Sequence, residues 1–400
     1  MAISHTIPEN RFDQLTIGDF AQGIADRKDA LVYFLCNVGD ADTQVLLLPH
    51  HDQLGHRLAV VVDVYSNQKA SAVIDWATDK KLLSPRHVPG GAPNGAGAEK
   101  DIALVVATHP HADHIDGLPA FLEKYSNGID ELWDPGYYHP IGSYHNMMAL
   151  IAANSQIAYA NPSGGYRTWQ GNTAITVLGP SIQLRNRYDS YGVLANDASI
   201  TLQVETPVPR VITRDQEGNR VQSGSRNVVV LGGDAQTESW SHTLADFPRL
   251  RKSESPAAKA IGAAQGDHDP LNAGVHKVSH HGSKNGVNLE LVERIGAKLT
   301  LVSSVRSGGG HGFPHEVTRH ILREALKPLA RSGGLHNPDD DPDLGLFYTG
   351  DNIATPAGAE LPLGTIAVVL RAGKLEMWRL GDAPGAKLDL SDATTAWRWK

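Results

Sequence analysis

The segment Thr108-His109-Pro110-His111-Ala112-Asp113-His114-Ile115-Asp116-Gly117 carries three histidines and a carboxylate within six residues, His109 to His114. Imidazole and carboxylate suit zinc, manganese or iron, and need no thiolate. In a tight loop, His109 and His111 can turn towards one metal while Asp113 and His114 turn towards a second. Two such ions about 3.5–4 Å apart can share a hydroxide and clamp the attacking and leaving oxygens of a substrate. The competing reading is a polar loop whose histidines cap the next helix. Four ligand-type side chains at one strand end favour metal chemistry over capping.

Composition narrows the setting. The 400 residues are 41% hydrophobic and 20% charged, enough for a sizeable core. A net charge of −8, from 36 basic against 44 acidic residues, argues against stable binding of duplex DNA. It leaves room for a small molecule or a single-stranded nucleic acid held at a metal. The 19 histidines are a high number, and the single cysteine, Cys36, excludes an internal disulfide or a thiolate cluster. The longest apolar run, Met147–Ala153, falls far short of the roughly 20 residues of a membrane helix. The opening Met1-Ala2-Ile3-Ser4-His5 has neither the basic nor the apolar part of a secretory signal, so no membrane association and a cytoplasmic location are expected.

The elements that must hold this loop are short and alternate in type. Leu31–Leu35, Val45–Leu48 and Leu58–Val64 read as strands, followed by a Gly/Pro/Ala-rich loop, Pro89–Glu99. Ile102–Ala107 reads as a strand buried on both faces. Leu118, Phe121, Leu122 and Tyr125 then follow at helical spacing, so the metal motif joins a strand to a helix. Val228–Leu231 ends in Gly232-Gly233-Asp234, and Val275–Val278 leads into His280-His281-Gly282-Ser283 before a helix predicted over Asn288–Ile295. Leu299–Ser303 is a further strand, and Ser307–Gly312 a loop. Val317, Ile321, Leu322 and Ala325 share a helical face, and Thr365–Leu370 with Lys374–Arg379 form a closing hairpin. This alternation predicts one layered α/β domain over 30–385, between an N-terminal extension (1–29) and a C-terminal tail (386–400). Regions 66–100, 136–190, 207–226 and 330–345 read as insertions on it.

The residues HPHADHIDG match the HxHxDH signature, and the chain resembles the metallo-β-lactamase fold superfamily. More narrowly it resembles the extracytoplasmic hydrolase domain of ComEC-type competence proteins. Leu35-Cys36-Asn37-Val38-Gly39-Asp40-Ala41-Asp42 is similar to that family's opening strand and glycine turn, without its second glycine. Asn196-Asp197-Ala198-Ser199, Leu231-Gly232-Gly233-Asp234 and Lys277-Val278-Ser279-His280-His281-Gly282-Ser283 are similar to its later segments, in the same order. The resemblance implies an αββα sandwich with a dimetal site at one edge of its two sheets.

It also implies roles. His109, His111, Asp113 and His114 are ligands, and Asp234 bridges with one oxygen to each metal. His280 and His281 divide between metal and substrate in an order the sequence leaves open. A third ligand of the first metal is supplied by Asp197, by His139 or His145, or by water. Asp113 orients the attacking hydroxide, and His281 and His315 are further catalytic candidates, although His315 equally suits a helix N-terminus. Asp63 and Ser283 are expected to support the metal-bearing groups by hydrogen bonding. Gly350-Asp351 has the form of the bridging segment but comes too late in the order.

The implied activity is that of a hydrolase with two divalent ions, zinc first and manganese or iron as alternatives, acting on a phosphodiester in a nucleotide or single-stranded nucleic acid. Cleavage of a β-lactam or lactone is the alternative on the same fold. An iron-dependent oxidoreductase and an inactive binding scaffold are alternatives of other classes.

Overall fold

The computed structural model describes residues 6–51, 53–83, 101–187, 195–206, 211–214, 220–223, 227–248, 269–304, 311–332, 340–355 and 358–400. The expected loop Pro89–Glu99, the start of Ser307–Gly312 and a short basic cluster, Arg249, Arg251 and Lys252, lie outside the described residues.

Two sheets form the centre. The first runs in the order Phe12–Thr16, Thr395–Trp399, Lys374–Arg379, Ile366–Arg371, Leu31–Leu35, Thr43–Leu47, Ala59–Val64, Ile102–Val106, Ile129–Trp133, Ala158–Ala160. The second runs Leu346–Tyr348, Leu299–Val302, Val275–Lys277, Asn227–Leu231, Thr201–Thr206, Thr173–Gly179, Arg167–Gln170. Strand alternation sorts the side chains into layers. Tyr33, Leu46, Val60 and Val62 of the first sheet meet Leu202, Val229, Leu231 and Leu301 of the second in one apolar cluster between the sheets. Their neighbours Val32, Phe34, Val45 and Val61 face outward, onto helices Ile17–Ala25, Asn67–Asp79, Leu118–Tyr125 and Gly142–Ala153. Val228 and Val230 likewise face outward, onto helices Thr237–Asp246 and Leu289–Ile295, and Val302 packs on Glu316–Ser332. The architecture is therefore a four-layer αββα sandwich. Among the described residues, no helix is long and apolar enough to cross a membrane.

Several expected boundaries differ. The segments read as an extension and a tail are built into the first sheet: Phe12–Thr16 pairs antiparallel with Thr395–Trp399, and Ile17, Phe20 and Ile24 of the next helix are buried in the core. Region 66–100 begins with a core helix, because Ala70, Val73, Ile74 and Ala77 recur at helical spacing and are buried. Region 136–190 contains a core strand of the second sheet, Thr173–Gly179, paired with Thr201–Thr206. In each case a short apolar run between polar loops reads as peripheral until its partner, distant in sequence, is known. The helix predicted from Asn288 is Leu289–Ile295, with Asn288 as its cap accepting from the Leu291 N–H.

Candidate metal centre

Parallel pairing brings the chemistry to one edge. Ile102–Val106 lies beside Ala59–Val64 with Val106 opposite Val62, so Asp63 and the loop from Thr108 to His114 leave the first sheet together. In the second sheet Leu231 stands opposite Lys277, so Asp234 and the His280-His281 pair leave side by side. Two glycines permit this. A Cβ on Gly232 would stand 2.2 Å from Ser279 Oγ, and Gly282 holds φ +81° with its Cβ direction filled by Pro314. His280 and His281 both adopt φ 51°, a left-handed conformation that costs a non-glycine residue about 1–2 kcal/mol. Both lie beyond the end of strand Val275–Lys277, so strand alternation does not point them apart. The turn instead directs both imidazoles at Asp234.

Asp234 is 1% exposed, and its two oxygens face different sets. Oδ1 lies 3.1 Å from His114 Nε2 and 3.7 Å from His281 Nε2. Asp113 Oδ2 stands 3.8 Å from His114 Nε2 and 3.6 Å from His281 Nε2, closing a four-atom group. Oδ2 lies 3.8 Å from His109 Nε2 and 3.6 Å from His280 Nε2, and the His111 ring packs against His109 with centroids 4.5 Å apart.

These atoms converge without satisfying one another. His109 Nε2, His114 Nε2, His281 Nε2 and Asp234 Oδ1 are buried without a well-formed hydrogen bond, the nearest approach being the 3.1 Å ion pair of His114 with Asp234. Leaving one such group unpaired costs about 1–3 kcal/mol, so three imidazole nitrogens around one carboxylate describe a donor set shaped for cations. The opposite ring nitrogens are occupied. His114 Nδ1 lies 2.7 Å from Asp63 Oδ2, His281 Nδ1 3.0 Å from both the carbonyl and the hydroxyl of Ser303, and His109 Nδ1 3.2 Å from Thr108 Oγ1. Holding Nδ1 in this way leaves the Nε2 lone pairs directed inward, as metal ligation requires. Asp63 also accepts from the Thr108 N–H and hydroxyl, so it fixes the loop as well as the ring.

Charge follows the same plan. Burial alone would strip the proton from His114, but Asp234 and Asp63 outweigh it and hold its pKa well above the ordinary value. Burial would raise Asp234, but His114 and His281 hold it well below the carboxylate range. His109, buried and beside His114, is pushed well below the ordinary imidazole value. Without cations, protons on the imidazoles offset the carboxylates; metal binding would release them.

Asp42, His114, Asp234 and His281 bring one ligand-type atom each within 4.8 Å of one another, a buried group that could hold a metal ion. Asp42, however, accepts from the Lys277 ammonium and the Ser303 hydroxyl. A carboxylate already paired with a buried ammonium is a poorer ligand than Asp113, whose side chain is 40% exposed at the mouth.

Other expected residues lie elsewhere. Asp197 is not brought into the cluster: its Oδ1 accepts from the Ser239 N–H in the first turn of helix Thr237–Asp246, 42 residues further along the chain. His315 is exposed and its Nδ1 accepts from the Val317 N–H, the helix-start alternative rather than a catalytic position. Ser283 contributes backbone, donating its N–H to the His280 carbonyl and accepting from Thr318 Oγ1 at its own carbonyl. The His139 ring lies 5.3 Å from that of His111, at the outer side of the centre, whereas His145 stacks on Tyr138. Asp351 pairs with Arg379 in the core and takes no part.

Sequence reasoning assigned no role to Asp42, Lys277, Ser303 or Thr108. It also missed the two amides near His280: Asn196 Nδ2 is 3.4 Å from its Nε2, and Gln236 Nε2 is 3.4 Å from its Nδ1. A lysine inside the apolar strand before His280 was the available signal, since a buried ammonium requires a counter-charge.

No protein-family model and no curated protein matches the sequence. Similar solved structures include the metallo-β-lactamase fold protein YhfI from Bacillus subtilis, at 11% identity and TM-score 0.35, over 74% of this chain and 93% of that one. A diphosphatase from the PhnP family has 12% identity and TM-score 0.34, over 83% and 97%. CmlA, a diiron β-hydroxylase from Streptomyces venezuelae, has 10% identity and TM-score 0.35, over 76% of this chain and 52% of that one, so this chain spans about half of the hydroxylase. At these values the likenesses carry no weight for function.

Proposed function

We propose that the chain is a dinuclear metal-dependent hydrolase acting on phosphodiesters, with His109, His111 and His280 on the Oδ2 side of Asp234 and Asp113, His114 and His281 on the Oδ1 side. The observation that carries this reading is Asp234 itself: a buried carboxylate whose two oxygens are each approached by Nε2 atoms from both sheets. When bound, two divalent cations would acidify a water and draw charge from the scissile bond. The nitrogen and oxygen donors suit zinc, and equally manganese or iron.

The chain's own residues would do the rest. Asp113, the exposed member of the set, offers a carboxylate oxygen at the mouth that can hold a proton of the attacking water and orient it. Asn196 and Gln236 sit at the edge of His280 as neutral donors towards a bound anion. Phe313 stacks along His281, with ring centroids 6.1 Å apart, and screens that imidazole from solvent. The phosphodiester rests on the motif resemblance set out above; cytoplasmic action on a single-stranded nucleic acid or nucleotide belongs to the same proposal.

Metal analysis of the purified chain, with turnover of bis-p-nitrophenyl phosphate, single-stranded DNA, a lactone and nitrocefin, tests it. About two ions per chain and preference for the phosphodiesters are expected. Preference for the lactone or nitrocefin would overturn the substrate class. Iron with oxygen uptake and no hydrolysis would overturn the reaction class.

A further inference from the structure

Behind His281 lies a chain of fully buried polar groups that no ligand role explains. Ser303, Asp42 and Lys277 are each 0% exposed. The Lys277 ammonium donates to Asp42 Oδ2, and also lies 3.4 Å from the carbonyl of Gly233, the residue before Asp234. Ser303 Oγ donates to Asp42 Oδ1, and the His281 Nδ1–H is shared between the Ser303 carbonyl and hydroxyl at 3.0 Å each. Asp42 also stands 3.9 Å from Nδ1 of both His114 and His281, and its N–H donates to the Asp113 carbonyl at 3.0 Å. One residue thus touches the loop bearing Asp113 through its N–H, and the strand leading to His280 and the serine that holds His281 through its carboxylate.

We propose that Asp42 and Ser303 are positioning residues for His281, with Lys277 pinning Asp42 in place, and that this chain sets how firmly a cation is retained on the Oδ1 side of Asp234. The contrast with His114 gives the physical reason. Asp63 holds His114 directly, as an uncompensated carboxylate. Asp42 acts through a hydroxyl and is neutralised by an ammonium, so it orients His281 without adding a net negative charge behind the ring. Outer partners of this kind alter metal affinity by about 10–100-fold.

This inference rests on the metal-centre reading, and its test separates the two. The full chain and its S303A and D42N variants are titrated with zinc against a chromophoric chelator, and the visible spectrum of the cobalt-substituted forms is recorded. The expected result is about two ions in the unaltered chain, with one of them bound 10–100-fold more weakly in both variants. That ion should also show a changed cobalt spectrum while thermal unfolding of the metal-free variants is preserved. S303A removes one hydroxyl, so it decides the matter alone if D42N does not fold. Two ions at unaltered affinity in S303A would overturn the positioning chain while leaving the metal centre standing. So would a loss confined to D42N, which would make Asp42 a ligand. No metal bound to the unaltered chain would overturn the metal-centre reading and this inference together.

Discussion

The two sides of Asp234 are built differently. On the Oδ1 side the imidazoles of His114 and His281 are fully buried, and each is held from behind by a group linked to a carboxylate. On the Oδ2 side His109 is also fully buried and is held through Thr108, whose hydroxyl donates to Asp63, so the difference lies at His280. His280 has a single neutral amide behind it, Gln236 Nε2 at 3.4 Å from its Nδ1, and its side chain is 16% exposed. A buried, pre-oriented ligand binds a cation more firmly than one that must be ordered on binding. In the proposed centre, His280 is therefore the least firmly held imidazole, and the weaker position falls on its Oδ2 side.

The change that breaks both sides at once is Asp234→Ala. It removes the shared carboxylate, so both ions should be lost and phosphodiester turnover should fall by more than the roughly 10²–10³-fold typical of removing one stabilising group. Retention of one tightly bound ion in that variant would show that the sides are independent. His280→Ala should act on one side only: metal analysis should find the weaker ion missing and the tighter one present, with turnover down about a hundredfold. Asp63→Asn touches the other side from behind. It should weaken the tighter ion by about 10–100-fold in chelator competition, because His114 loses its charged partner.

The smallest effect concerns His276, a control outside the centre. It is fully buried, neither ring nitrogen has a hydrogen-bond partner, and burial with Lys277 adjacent pushes its pKa down to about 3. The unfolded chain takes up this proton near pH 6.5, whereas the folded chain does so only near pH 3. Stability is therefore lost as pH falls through this window, by about 2 kcal/mol at pH 5. His276→Leu should remove that acid-side loss, seen as a smaller difference between denaturant midpoints at pH 5 and pH 7.5. An unchanged difference would mean that His276 does not titrate as its burial implies.

The alternation of short apolar strands with helices gave a layered α/β domain, and the resemblance carried by HPHADHIDG and the later segments implied the αββα sandwich and the candidate metal loop. What stayed hidden depended on distance or on backbone shape. Asp42 finds its counter-charge in Lys277, 235 residues away, and no local pattern records that pairing. The sequence leaves open how His280 and His281 divide their roles; both occupy a left-handed turn, which brings one to each oxygen of Asp234. Asp197 looks like a ligand by type and His315 like a catalytic group, but Asp197 accepts from a helix 42 residues on and His315 from the start of its own helix. The terminal segments were set aside because each lacks a partner nearby; they are partners of one another.

The central claim, two cations on one carboxylate with unequal hold, is tested most directly by calorimetric titration of the metal-free chain with zinc, alongside His280→Ala. Two binding steps of different affinity are predicted for the unaltered chain, with only the tighter step surviving in the variant. A single ion per chain in zinc excess, or loss of the tighter step in His280→Ala, would contradict it.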